Sequence, residues 1–269
     1  MKGNMDRMKR NSSSALLLLR LLMGLCLLGV LCSAYILVVS QREYDRGDAA
    51  YEQIRLLLEG GQDEEGIRTG PDGVSEGLIL REMKQVDFAA LKQVNADVVA
   101  WISAEEIIID YPVVQGADNE YYLTHLFNGS KNKLGSLFVD FRTPGDFSER
   151  STVIYGHNMK DGSMFATLTQ YKDQDYYKSH PAMQLYTPDG AYRLEFFAGI
   201  VADGDYEFIR YEFDNDADFL GYVDTLKNDS TFRSDVPVAA HERIVALCTC
   251  SYEFNNARYA LFGKLVPIE

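Results

Sequence analysis

The chain is 269 residues long, 46% hydrophobic and 12% aromatic, and its 26 Lys and Arg stand against 40 Asp and Glu for a net charge of −14. So much apolar content excludes a disordered chain and suffices for one ample core or two small ones, and so acidic a surface, repelled by a phosphate backbone, excludes nucleic acid as a partner. Four cysteines, Cys26, Cys32, Cys248 and Cys250, are too few for a disulfide scaffold and form no Cys-x-x-Cys zinc pattern.

Residues 21–39 run LLMGLCLLGVLCSAYILVV, nineteen positions without a charge. As a helix that run spans about 28 Å, close to the hydrocarbon thickness of a bilayer. Lys2, Arg7, Lys9, Arg10 and Arg20 precede it, and Glu43, Asp45 and Asp48 are among the charges that follow. The positive-inside rule therefore leaves the N-terminus in the cytoplasm and everything after Val39 outside. A cleaved signal peptide competes, because Cys32-Ser33-Ala34 resembles a small-residue cleavage site, but the apolar run continues past it. The expected organisation is a cytoplasmic N-terminus at 1–14, a single transmembrane anchor at 15–40, an extracellular stalk and linker at 41–84 and a catalytic domain at 85–269.

Over 41–59 the apolar positions Tyr51, Ile54, Leu57 and Leu58 fall at helical spacing, which predicts an amphipathic stalk. Residues 60–77 hold six glycines, a proline and several acids, and read as a flexible linker. Asp87 is placed to cap a helix that begins with Phe88. Short β-rich runs follow at 107–110, 137–141, 152–155, 183–186, 192–200, 244–248 and 257–266, separated by turn signals such as Pro188-Asp189-Gly190 and Asn255-Asn256. Strand after strand without regular intervening helices predicts a mainly β fold, mostly antiparallel, as a sheet or barrel. One helical pattern interrupts it at 215–226, where Phe219, Leu220, Val223 and Leu226 share a face.

Several motifs fail on inspection. Asp214-x-Asp216-x-Asp218 starts like a calcium loop, but its sixth place is Phe219 and its twelfth Thr225, so it reads as an acidic helix N-terminus. His125, His157, His180 and His241 show no close ligand spacing, and Ser163 in DGSMF lacks the Gly-x-Ser-x-Gly elbow. Three residues remain. Cys250 ends the apolar run that begins at Ile244, at the mouth of a buried strand, where a thiol is both held and reachable; the competing reading is a small core hydrophobe, the one preferred for Cys248. A Cys248–Cys250 disulfide is a third reading, of poor geometry on a strand. Arg258 lies eight positions later across a turn-rich stretch, and a hairpin sets the two side by side. An arginine in an apolar strand calls for an anionic partner unless it faces solvent. His157 ends another strand, 93 residues before Cys250, and spacing alone leaves it either a base or a turn residue.

The segments NEYYLTHLF at 119–127, GSLFVDFR at 135–142, STVIYGHNMKDGSMFATL at 151–168 and ALCTCSYEFNNARYALFGKL at 246–265 together resemble the class B sortases, membrane-anchored cysteine transpeptidases of Gram-positive bacteria. The family's Thr-Leu-x-Thr-Cys signature is matched by Ala246-Leu247-Cys248-Thr249-Cys250, with Ala246 in place of the first threonine and Cys248 where serine is common. The resemblance implies an eight-stranded sortase β-barrel with N-terminal helices and a helix between the sixth and seventh strands, for which 215–226 is the candidate. It implies Cys250 as nucleophile, His157 as general acid and base, and Arg258 as the group that positions substrate and steadies the oxyanion. The Ser251 amide corresponds to a second oxyanion donor, and Asn119, Leu123 and Tyr155 to positions lining the groove. The implied reaction cleaves a C-terminal sorting signal after Thr and transfers the surface protein to an amine of a peptidoglycan precursor. Pilin polymerisation on a lysine amine and simple hydrolysis by a surface cysteine peptidase are the alternatives. No metal or cofactor is implied.

Overall fold

The computed structural model describes residues 2–59, 84–104, 106–204 and 208–268, of which 2–18 and 59 are described in backbone only. The expected linker at 60–77 lies outside the described residues. The chain divides into two units, Met1–Arg46 and Gly47–Glu269. In the first, helix α1 (Lys2–Glu59) begins, and from Leu19 it is long and apolar enough to cross a membrane. Its side chains there, Leu25, Leu31 and Ile36 among them, are exposed, and a helix apolar on every face calls for apolar surroundings.

In the second unit eight strands close into a barrel: β1 (Val98–Ser103), β2 (Asp110–Val114), β3 (Leu137–Val139), β4 (Ser151–Tyr155), β5 (Ala182–Thr187), β6 (Gly190–Asp203), β7 (Ile244–Cys250) and β8 (Ala257–Ile268), in the spatial order β1-β2-β3-β4-β7-β8-β6-β5. The β2–β3 and β4–β7 neighbours are parallel and the other pairs antiparallel. Closure leaves no edge to cover. Two expectations move. The strand read at 107–110 lies at Asp110–Val114, after a turn in which Ile108 is 55% exposed, and Val98–Ser103 adds a first strand.

Among the described residues three further α-helices decorate the barrel: α2 (Phe88–Val94), α3 (Gln174–Ser179) and α4 (Asp216–Asn228). Asp87 caps α2 by accepting from the Ala90 amide at 2.9 Å, as its position in the sequence predicts. Asn215 caps α4 by accepting from the Asp218 amide at 3.0 Å, while Asp216 and Asp218 place negative charge at the positive end of its dipole. Its buried face, Phe219, Tyr222, Val223 and Leu226, packs on Val153, Ile244, Ala246, Cys248, Ala260 and Phe262. One set of alternate positions on β4, β7 and β8 is thus the face turned toward α4, and the residues that continue that alternation at the strand ends are Tyr155, Cys250 and Arg258.

Candidate active site

β7 and β8 form a hairpin whose register runs from Ile244 opposite Lys264 to Cys250 opposite Arg258. Directly opposed residues in an antiparallel pair project to the same face with Cβ atoms about 5 Å apart, so the hairpin sets the thiol beside the guanidinium. Both side chains are half-buried. Arg258 Nη1 donates to the carbonyl oxygens of Asn256 at 3.2 Å and Ala257 at 3.1 Å, and among the described residues no carboxylate pairs with it. A half-buried guanidinium with only neutral acceptors keeps its charge available to an incoming anion.

His157 reaches the same place from β4. That strand runs parallel to β7, with Tyr155 level with Cys248, and contacts just beyond its end continue the pairing. The Gly156 amide donates to the Cys248 carbonyl at 3.1 Å, Thr249 Oγ1 donates to the Gly156 carbonyl at 2.7 Å, and Asn158 Nδ2 donates to the Cys250 carbonyl at 2.8 Å. His157 is therefore bracketed by two residues that are both tied to 248–250. Its ring Nε2 donates to the Leu123 carbonyl at 2.7 Å, an acceptor that requires a proton on that nitrogen and leaves Nδ1 as the atom able to exchange one.

The remaining expected residues divide. Tyr155 and Arg258 line one cavity of about 520 Å³ with Arg142, Tyr211 and Cys248. Leu123 borders the site through its carbonyl, with a side chain 38% exposed. Asn119 accepts from the Phe141 amide at 3.1 Å, beside the end of β3. Ser251 differs from expectation: it is buried, and its amide donates to the Ala257 carbonyl at 2.8 Å, closing the β7–β8 turn, so in this conformation that N–H is spent. Its hydroxyl sits between Lys172 and Glu253, receiving from Lys172 Nζ at 2.8 Å and donating to the carboxylate. Burial alone raises the Glu253 carboxyl, but hydrogen bonds from Lys172 and Ser251 outweigh it and hold the group down at about 2.

Sequence reasoning missed a second cluster. Asp140, just past β3 and fully buried, accepts from Arg142 Nε at 2.9 Å and Nη2 at 2.7 Å, from the Tyr155 hydroxyl at 3.0 Å and from the Tyr211 hydroxyl at 2.8 Å. Burial pushes its carboxyl up, and the Arg142 and Tyr211 hydrogen bonds more than reverse that, leaving it at about 2. The signal available in the sequence was the acid two residues before an arginine at the end of an apolar run, Asp140-Phe141-Arg142. Asn158, adjacent to His157, was missed too.

No protein-family model matches the chain. It is 39% identical over 178 residues to sortase B of Listeria monocytogenes, covering 65% of this chain and 72% of that one. It is 32% identical over 190 residues to sortase B of Staphylococcus aureus, covering 70% and 78% respectively. Among solved structures, a Staphylococcus aureus sortase B–substrate complex matches with a TM-score of 0.72 at 28% identity, over 85% of this chain and 100% of that one. A Bacillus anthracis protein similar to sortase B matches with a TM-score of 0.70 at 30% identity, over 84% and 98%. Identity at that level, spread over most of both chains and joined to the same closed barrel, places this chain in the class B sortases, as a sortase-type cysteine transpeptidase.

Proposed function

We propose that the enzyme is anchored by residues 15–40 with 1–14 in the cytoplasm, and that a stalk and linker at 41–84 carry the catalytic domain, 85–269, outside the cell. There it cleaves a C-terminal sorting signal after Thr and joins the surface protein to an amine of a peptidoglycan precursor. Cys250 is the nucleophile, His157 the proton carrier and Arg258 the oxyanion partner. The observation that carries this assignment is the register pairing of Cys250 with an arginine that has no carboxylate partner among the described residues, under a histidine bracketed by contacts to the same strand.

The chemistry balances as acyl transfer in two steps. The Cys250 thiol passes its proton to His157 Nδ1 as Sγ forms a bond to the carbonyl carbon after Thr, the peptide C–N bond breaks, and His157 Nδ1–H protonates the departing amine. An incoming amine then attacks the thioester and gives a proton to His157 Nδ1, the C–S bond breaks, and that proton passes to the departing Cys250 sulfur, restoring the thiol. Negative charge on the carbonyl oxygen is met by Arg258, and the Ser251 amide joins it only when its bond to Ala257 is exchanged. Leu123, Tyr155 and Asn119 border the groove in which the signal lies; the Staphylococcus aureus relative was solved with a substrate. Tethering to the membrane raises the local concentration of an enzyme whose substrates are held at the same surface.

Mass spectrometry of products from a library of short Thr-containing peptides, incubated with oligoglycine, diaminopimelate or lysine amines, tests the proposal. The expected product joins the acyl fragment to an amine, and Cys250→Ala and His157→Ala each abolish it while the far-ultraviolet circular dichroism stays unchanged. Products bearing only a new carboxylate would favour a hydrolase, a lysine-linked product would favour pilin polymerisation, and turnover by Cys250→Ala would end the assignment.

A further inference from the structure

Between β6 and α4 the described chain at 208–215 has no regular structure, and no backbone–backbone hydrogen bond links 208–214 to other described residues. The segment is held by side chains. Phe208, Ile209 and Phe213 pack against the cluster beneath α4, and Arg210 pairs with Asp218 of α4 at 2.7 Å. These contacts fasten the segment to α4 and to the strand residues beneath it. A hydrogen bond ties it to the end of β3: the Tyr211 hydroxyl donates to Oδ2 of Asp140, which also accepts from Tyr155 of β4. Arg142 completes the joint, with its guanidinium carbon 4.7 Å from the centre of the Tyr211 ring and Nη2 donating to the Tyr211 hydroxyl at 2.9 Å. Asp140 thus gathers hydroxyls from two aromatic residues that both line the cavity shared with Arg258.

A fully buried carboxylate is a costly way to end a strand, because its desolvation is recovered only while every partner stays in place. The same property makes it a geometric constraint. If Tyr211 swings away, Oδ2 loses one of its donors and the buried carboxylate gives up part of the pairing that offsets its desolvation, so the joint favours one position of residues 208–214 over its alternatives.

We propose that Asp140 is a positioning residue of this transpeptidase, holding the Tyr211 hydroxyl so that residues 208–214 stand as a fixed wall of the groove beside Cys250 and Arg258. The inference rests on reading Cys250 and Arg258 as the reacting pair. Asp140 itself touches no substrate, and its effect passes through Tyr211. A wall held in place lowers the ordering cost of binding an extended peptide and leaves the bond-making atoms unaltered.

Two readouts on the full-length chain test this. Limited trypsin digestion needs no substrate: Asp140→Asn, which keeps the shape and loses the charge, is expected to speed cleavage after Arg210 about tenfold while cleavage after Arg150 and Arg243, at the starts of β4 and β7, stays slow. Steady-state kinetics on the peptide selected from the Thr-containing library are expected to show KM raised about tenfold and kcat within threefold. Tyr211→Phe, which removes one oxygen from a half-buried ring and preserves folding, is expected to give the same KM rise, and the double variant no more than either single one. Unchanged cleavage after Arg210, cleavage after Arg150 and Arg243 that rises in step with it, or KM effects that multiply in the double variant would each overturn the proposal. If no peptide is turned over at all, the transpeptidase assignment fails while the digestion result still decides the role of Asp140.

Discussion

Burial pushes the Cys248 thiol up to about 12, against a smaller opposing pull from the Arg258 guanidinium, so near neutral pH its sulfur stays protonated although it lies two residues from Cys250 on the same strand face. The two cysteines therefore divide: Cys248 is a packed wall of the cavity and Cys250 is the reachable sulfur at the strand's mouth. Iodoacetamide at pH 8, followed by peptide mapping, is expected to modify Cys250 in the folded protein and to reach Cys248 only in urea. Equal labelling of both in the folded state would show that the strand end is open and that the division is wrong. The separation was half legible beforehand. A cysteine closing an apolar run, with an arginine eight residues on across a turn, gives the Cys250–Arg258 pair from hairpin geometry alone. His157, 93 residues away, is brought in by a parallel neighbour pairing that no local pattern encodes; the sequence left it either a base or a turn residue, and only the family resemblance gave it a role. Asp140 was illegible for the same reason in stronger form. An acid at the end of an apolar strand reads as an exit to solvent, and the tyrosine that keeps it dry stands 71 positions away.

At the scale of elements, the strands that carry the site are also those most readable from sequence. β7 is buried at six of its seven positions, so its composition is a continuous apolar run, and the hairpin to β8 follows from the turn. β2 was displaced because Pro112 sits within it, opposite Trp101, where a residue without an N–H argues against a strand, whereas the preceding Ile107-Ile108-Ile109 imitates one. The element that sets His157 is the end of β4, and its geometry depends on Gly156. A Cβ there would meet Leu137 Cδ2 and lie 2.6 Å from the ring of Phe165, both fully buried. Gly156→Ala is expected to cost about 1–3 kcal/mol, read as a lowered urea midpoint. It is also expected to lower kcat more than tenfold, because relief of the clash moves the backbone that brackets His157. A variant that loses stability with kcat intact would mean that the core, and not the strand end, absorbs the added methyl group.

For the whole molecule, the second half of the expected stalk belongs physically with the barrel. Gly47–Glu269 is one unit, and within it Tyr51, Ile54 and Leu58, spaced to share one helical face, are 2–4% exposed. The Tyr51 hydroxyl donates to the Gly135 carbonyl at 2.6 Å, its ring meets Tyr111 edge-on at 5.2 Å, and Arg55 Nε donates to the Asp110 carbonyl at 3.1 Å. Leu57, on the other side of the turn, is 48% exposed, which is why the hydrophobic pattern alone could not say what the helix packs on. Burying each of the three side chains contributes about 1.5–3 kcal/mol as an upper estimate, and the tyrosine hydrogen bond about 1 kcal/mol more. Two fragments separate a spacer from a structural element: 41–269 retains the helix and 60–269 lacks it. With a denaturant slope of a few kcal/mol/M for a domain of this size, loss of several kcal/mol is expected to lower the urea midpoint of the shorter fragment by more than 1 M. The truncation bares Gly135 and Ser136, which lead directly into β3 and so to Asp140, and transpeptidation by the shorter fragment is expected to fall with its stability. Coincident midpoints would show that residues 47–59 add nothing to the stability of the barrel.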